Sequence, residues 1–224
     1  MPYDYPNHRI PVVDCVEFGR AQSLPMDPYL LGLLLGDGTL TGTSVEFHKP
    51  EVDLHNRIAE ILPPDDDITR LVGDVGVRIR RRTMAAPRVP SVTMESLRHL
   101  GLFGCTSLDK FIPDEFLMAD VGSRTKLLRG IADTDGHVIH SGRRVEISTS
   151  SPRLRDGIVF LVRSLGGTIT LQEKSTSYSY KGEKRSGATA YRMLAYFPSG
   201  LVPVSSRKHL AKWRAEGRAY YRSI

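Results

Sequence analysis

Asp37 and Asp135 lie 98 residues apart, each followed by glycine and each closing an apolar, helix-length segment, LLGLLLGDG (Leu30 to Gly38) and LRGIADTDG (Leu128 to Gly136). Lys110 follows Asp37 by 73 residues, and Lys208 follows Asp135 by the same 73. A single Asp-Gly is an ordinary turn or helix-ending signal. Two of them, each on a helix with small residues one turn apart and each in step with a lysine, argue for a composite site. Gly32 and Gly36 make one such face, Gly130 and Thr134 the other. Small residues at consecutive turns let two helix backbones approach closely, and a crossing about a twofold axis would set Asp37 beside Asp135.

That placement is unfavourable by itself, because a helix C-terminus already carries about half a negative charge and paired carboxylates repel. Divalent metal ions held by hard carboxylate oxygens, or the two lysines, would compensate. Such a set beside a cationic surface suits phosphodiester hydrolysis. Metal would activate water and steady the leaving oxygen, while Lys110 and Lys208 polarise water or stabilise charge on the phosphate. Lys212, one turn beyond Lys208, is an alternative to it.

The elements that must position these groups repeat as well. Leu54, Ile58, Ile61 and Leu62 form a core-facing helical stripe, and Leu154, Ile158, Leu161 and Val162 form the same stripe 100 residues on. Val45-Glu46-Phe47 corresponds to Val145-Glu146-Ile147 at that shift, with two residues added in the turn after the second Asp-Gly. Strands are expected at Thr43 to His48, Val75 to Arg82 and Pro90 to Met94, then at Val145 to Thr149, Thr168 to Lys174 and Ala190 to Phe197. Ser151-Pro152 opens the second striped helix and Gly166-Gly167 ends it. Two copies are too few for a solenoid. The pattern is α+β, with helices on one face of antiparallel sheets.

The 224 residues carry a formal charge of +6 and a pI near 9.4, which suits a polyanionic partner. The charges cluster on or beside expected strands: Arg78, Arg80, Arg81, Arg82 and Arg88 in the first half, Arg143, Arg144, Lys174, Lys181, Lys184, Arg185 and Arg192 in the second. A one-sided cationic sheet is an electrostatic footprint for nucleic acid. Ser44, Glu46, His48, Gln172, Ser177, Tyr178 and Tyr180 accompany it with side chains able to contact base edges, and Glu146 repeats Glu46. Other chemistries are poorly supported. There is no GxxxxGK[ST] loop, Cys15 and Cys105 lack metal-site spacing, and His55, His137 and His140 are weak metal candidates. No apolar run approaches the roughly 20 residues of a membrane span. Met1 to Arg20 lacks the apolar centre of a signal peptide, so an intracellular chain without membrane contact is expected.

The paired motifs, with Leu24-Pro25-Met26-Asp27-Pro28-Tyr29 before the first and Lys110-Phe111-Ile112-Pro113 between them, resemble the LAGLIDADG homing endonucleases, in particular the endonuclease domains carried by inteins. The resemblance covers nearly the whole chain from about Leu24. It implies two αββαββα halves in a monomer (24–123 and 124–224, after an extension 1–23), with motif helices packed at the centre and antiparallel sheets forming a saddle over double-stranded DNA. It also implies cleavage of both strands, leaving short 3′ overhangs that promote copying of a mobile element. Asp37 and Asp135 would bind Mg²⁺, assisted by backbone carbonyls such as those of Gly36 and Thr134, with Mn²⁺ or Ca²⁺ able to substitute for binding and no small-molecule cofactor. The first motif has Leu35 where the second keeps an earlier acid, Asp133, a position that is not the metal ligand. Neither Met1 nor the ending Tyr-Arg-Ser-Ile matches a self-splicing junction. A non-cleaving regulator or maturase on the same scaffold is the competing expectation, and an interaction module for acidic proteins is a weaker third.

Overall fold

The computed structural model describes residues 9–11, 14–18, 23–82, 89–139, 142–180, 182–214 and 221–223. After β1 (Arg9–Pro11), the first half runs α1 (Pro28–Asp37), β2 (Gly38–Thr39), β3 (Val45–Phe47), α2 (Val52–Ile61), β4 (Asp66–Arg70), β5 (Val77–Arg81) and α3 (Val92–His99). A one-turn helix α4 (Asp114–Leu117) leads to α5 (Val121–Asp135), β6 (Gly136–Val138), β7 (Arg144–Thr149), α6 (Pro152–Ser164), β8 (Thr168–Tyr180), β9 (Glu183–Tyr196), α7 (Arg207–Leu210) and β10 (Tyr221–Ser223). The sheets have the same antiparallel order, β2-β3-β5-β4 and β6-β7-β9-β8, and β1 pairs with β10. This is the α+β repeat expected from the sequence.

α1 is apolar all round and is buried all round, with Leu30, Leu31, Leu33 and Leu34 fully enclosed. Its N-cap Asp27 accepts from the amides of Tyr29 and Leu30. The striped helices turn Leu54 and Ile58, and Leu154, Ile158, Leu161 and Val162, onto the sheets' inner faces, so one core runs through both halves. Ser151 caps α6 through the Leu154 amide and also donates to the Lys110 carbonyl at 2.6 Å.

Two expectations are corrected. Pro90 to Met94 is not a strand: Ser91 Oγ accepts from the Met94 amide, and buried Asp66 accepts from the amides of Val92 and Thr93, so the segment opens α3. Its place in the sheet is taken by the polar Asp66–Arg70, which gains its strand partners from the backbone of β5. The strands Thr168 to Lys174 and Ala190 to Phe197 are the base of one long hairpin, β8–β9, turning at Gly182 with φ 83°. Residues 14–18 of the N-terminal extension pack on the second half. There the fully buried Arg124 donates to the carbonyls of Val16, Ala119 and Ser164 and lies over the Phe18 ring. Cys15 and Cys105 are both free thiols. No described helix is long and apolar enough to cross a membrane.

Candidate active site

The site is built by the crossing of α1 and α5. A Cβ on Gly32 would stand 2.3 Å from the Leu127 carbonyl and 2.9 Å from the Gly130 Cα, and one on Gly130 would stand 2.3 Å from the Tyr29 carbonyl. The backbones therefore touch there, as the small-residue faces predict. One turn on the contact is asymmetric, with Thr134 filling the space Gly36 leaves open. Each helix passes directly into a strand, through Gly38 at φ −83° and Gly136 at φ −94°. These glycines serve close approach rather than a left-handed turn: a Cβ would meet the Leu34 carbonyl at 2.4 Å and the Ala132 carbonyl at 2.2 Å.

Asp37 and Asp135 are thus the last helical residues on either side of the crossing. Burial and the Asp37 charge push the Asp135 carboxyl up to about 6, against the partial relief of Lys110 and Lys49. Lys49 Nζ stands 2.6 Å from Asp37 Oδ2 in an ion pair. Burial works against the Lys49 charge, yet Asp37 and then Asp135 outweigh it and hold the ammonium above its usual range. His55 Nε2 lies 2.6 Å from the Lys49 carbonyl, and since a carbonyl only accepts, the ring donates and fixes this turn. His55 is therefore a support for Lys49 in a helix, not a metal ligand.

Lys110 is buried, and its ammonium donates to the carbonyls of Leu34, Leu35, Gly36 and Gly38 at 2.8 to 3.1 Å. It closes the end of α1, where helix carbonyls lack intrahelical partners. Burial lowers its pKa to about 8, with Asp135 and Asp37 favouring the charge. Replacing Lys110 with Met, which keeps the stem, should cost about 2 kcal/mol by stranding buried carbonyls. Urea unfolding measures this, and an unchanged midpoint and slope would remove the capping role.

Lys208 does not repeat this arrangement. It is 62% exposed, 3.4 Å from Glu51, and Lys212 is exposed too. The reason is Asp133, buried where the first motif has Leu35. Asp133 accepts from the Tyr29 hydroxyl at 2.8 Å and from the amides of Ser205 and Ser206, and lies 3.4 Å from His209 Nδ1. Burial alone would raise its pKa, but His209 and the two serine amides hold it below the usual range. This pins the closing segment by Ser205 to His209 and turns Lys208 outward.

The donor set fits a divalent cation in part. Asp37 Oδ2 faces the Lys49 ammonium, Asp135 is half-buried beside it, and both carboxylates offer hard oxygens. The Gly36 carbonyl is already taken by Lys110, whereas the Thr134 hydroxyl turns back to Gly130 and Ile131. Among the described residues no three His, Cys, Asp or Glu side chains form a closed cage, so any ion here would keep open positions. A cavity of about 340 Å³ opens beside Asp37, walled by Thr39, Thr41, His48, Thr106, Ser107 and Lys110.

The outer sheet faces carry the remaining candidates. Glu46 pairs across the ladder with Arg78 at 2.7 Å and also meets Ser44 Oγ and His48, each at 3.3 Å. Glu146 receives a two-pronged contact from Arg192 at 2.6 and 2.7 Å, and Arg192 stands opposite Gln172. Arg80 lies 3.8 Å from Asp67, Arg82 donates to the Asp66 carbonyl, and Arg144 lies over the Tyr196 ring. Arg143 and Lys174 are exposed. The face is thus cationic with a glutamate–arginine pair on each sheet, not uniformly basic. Tyr178 and Tyr180 belong to β8, but their side chains, with that of Lys184, fall outside the described residues, as do Arg88, His140 and Lys181.

Two half-chains of like topology, joined by glycine-faced helices that end in paired carboxylates, define a pseudo-symmetric α+β protein with one shared acidic centre. Residues 123–212 match the LAGLIDADG-like domain, and the first half repeats the strand order of the second. The chain is 28% identical over 179 residues to the replicative DNA helicase DnaB of Mycobacterium intracellulare, covering 78% of this chain and 25% of that protein. It therefore spans a quarter of that relative's length. Among solved structures it is similar to the homing endonuclease I-DmoI in complex with DNA and Ca (14% identity, 84% of this chain and 96% of that one, TM-score 0.46). It is also similar to the N-terminal LAGLIDADG domain of DUF199/WhiA (11% identity, 88% and 81%, TM-score 0.38).

Proposed function

We propose that this chain is a site-specific endonuclease that breaks both strands of double-stranded DNA by Mg²⁺-dependent phosphodiester hydrolysis, leaving short 3′ overhangs. The observation that carries this reading is the meeting of Asp37 and Asp135 at the ends of touching helices, with Lys49 and Lys110 alongside. A binding scaffold has no need of two repelling carboxylates brought together. The carboxylates of Asp37 and Asp135 would hold the metal, which when bound supplies an activated water and charge stabilisation for the leaving oxygen. Lys110 holds the end of α1, and so the Asp37 carboxylate, in place. Lys49 presents an ammonium to the phosphate. The strand arginines position the duplex through its backbone, and Gln172, Ser44, His48 and the Glu46 and Glu146 pairs face its base edges.

Incubation with a randomised plasmid library and Mg²⁺ should linearise a rare subset, and Asp37→Asn should abolish this while retaining binding. Replacing Arg80 and Arg82 with Ala should flatten the salt dependence of affinity by roughly one unit of log–log slope for each phosphate no longer neutralised. An unchanged slope removes them from the interface. The second reading, a non-cleaving nucleic-acid regulator, is favoured by one observation: the Lys49 ammonium, 2.6 Å from Asp37 Oδ2, offsets the Asp37 charge. Tight binding of one sequence with no cutting in Mg²⁺ or Mn²⁺ would establish it. The helicase activity in the name of the DnaB relative is not carried over to this chain, which has no GxxxxGK[ST] loop.

A further inference from the structure

We infer that each half reads one G·C base pair through an arginine held side-on by a glutamate, Arg78 by Glu46 and Arg192 by Glu146. The inference deepens the reading above by naming bases, and of that reading it rests on duplex binding, not on cleavage.

The two glutamates hold equivalent places. Glu46 is one residue from Phe47, which pairs with Gly38 at the end of the first motif helix, and Glu146 is one residue from Ile147, which pairs with Gly136 at the end of the second. Each lies on the second strand of its sheet, and each arginine comes from the third, β5 or β9. Arg78 stands directly opposite Glu46, whereas Arg192 stands opposite Ser148 and reaches back to Glu146 across a diagonal. Val45, Phe47, Val145 and Ile147 on either side are fully buried, so strand alternation turns both glutamates to the outer face.

The carboxylate grips the same edge of both guanidinium groups. Arg78 presents Nε and Nη2 to Glu46 Oε1, at 2.8 and 2.7 Å. Arg192 presents Nε and Nη2 to Glu146 Oε1, at 3.1 and 2.6 Å, with Nη2 also 2.7 Å from Oε2. The far end of each fork, Nη1 with the second hydrogen of Nη2, therefore points away from its carboxylate. Two donors there match the O6 and N7 acceptors of guanine, and the adjoining carboxylate matches the N4 amine of the paired cytosine. Other bases in the guanine's place break the match, since adenine and cytosine set an amine against the arginine and thymine sets a methyl group. A carboxylate on a face that met phosphates alone would only repel them. Reading a base accounts for its presence in both halves. The pseudo-twofold relation of the halves puts the two guanines on opposite strands, at matching or adjacent positions either side of the centre.

The test selects duplexes from a randomised library by binding to the full chain in Ca²⁺, then measures affinities for a selected duplex by fluorescence anisotropy. The consensus should carry one guanine in each half, on opposite strands. Exchanging either G·C pair for A·T should weaken binding by roughly tenfold or more, and 7-deazaguanine, which lacks the N7 acceptor, should also weaken it. Arg78→Ala should bind the G·C and A·T versions of the first position within about twofold of each other while keeping the preference at the second, and Arg192→Ala should do the reverse. That exchange of positions separates base reading from a loss of folding or of general affinity. Glu46→Ala, which leaves Arg78 unclamped, should reduce the preference at the first position alone. A consensus without the two guanines would overturn the inference. So would an Arg78→Ala variant that weakens all duplexes alike and lowers the salt slope, because its arginine then meets phosphate. Cutting in Mg²⁺ is read separately on the same duplexes. Selection of the two guanines without any cutting would uphold the inference and overturn the endonuclease reading, and selection of no duplex at all would overturn both.

Discussion

Asp135→Asn is expected to lower cleavage by roughly 10³-fold or more, the scale of losses when a charge-stabilising group is removed from a preorganised site. The substitution keeps the side chain's shape and removes its charge. The fold should survive, because among the described residues no side-chain hydrogen bond ties Asp135 to another element and the change relieves its repulsion with Asp37. The same carboxyl sets a pH signature. Its pKa stands at about 6 in the folded chain against an ordinary 3.8. Between those values the folded protein holds a proton that the unfolded chain has lost. Metal-free stability should therefore rise as pH falls from about 6 towards 3.8, where the gain is complete, and be lost again as pH rises through about 6. Divalent binding runs the opposite way, since a ligand oxygen must be deprotonated. Calorimetric Ca²⁺ affinity should weaken below about pH 6, with proton release visible as a dependence on buffer ionisation heat. The Asn variant should bind Ca²⁺ weakly and show neither trend. A wild-type affinity that is flat from pH 5 to 7 would remove Asp135 from the metal site.

The repeat was legible because symmetry multiplies weak signals. One Asp-Gly says little, but two on glycine-faced helices predict a helix crossing, and Gly32 against Gly130 is that crossing. The same reliance on repetition misleads where the halves diverge. Lys208 keeps its spacing from Asp135, yet Asp133 binds Ser205, Ser206 and Tyr29 in a way Leu35 cannot, and the closing segment carries Lys208 away. The departure at residue 35 was visible in the sequence, but its consequence depends on partners 72 and 73 residues beyond Asp133, which spacing does not show. Lys49 escapes for the opposite reason, having no counterpart in the second half. The available signal was its position, where a strand returns to the motif-helix end. The strand Asp66–Arg70 was hidden because its pairing is supplied by backbone groups while its side chains are mostly polar and carry no apolar alternation.

Gly32→Val should be among the most damaging substitutions in the chain. Its first added carbon would fall 2.3 Å from a backbone oxygen and 2.9 Å from a backbone carbon of α5, and neither can rotate away as a side-chain tip could. The helices must separate, loosening the layer in which Leu30, Leu33, Leu128 and Ile131 are fully or almost fully buried. Overpacking of this kind costs about 3 kcal/mol or more, which for a chain of this size lowers the melting temperature by roughly 6 to 12 °C. Gly122→Ala, in the exposed first turn of the same α5, is the matched comparison. There the nearest obstacle is a movable Asp120 oxygen at 3.0 Å, and helix propensity favours alanine by up to about 1 kcal/mol. The pair therefore separates helix propensity from helix contact. Metal binding provides a second reading, because a wider crossing also moves Asp37 from Asp135. Gly32→Val should weaken Ca²⁺ binding even in molecules that remain folded, and a variant that melts and binds Ca²⁺ like the wild type would show that the crossing does not set the spacing of the two carboxylates.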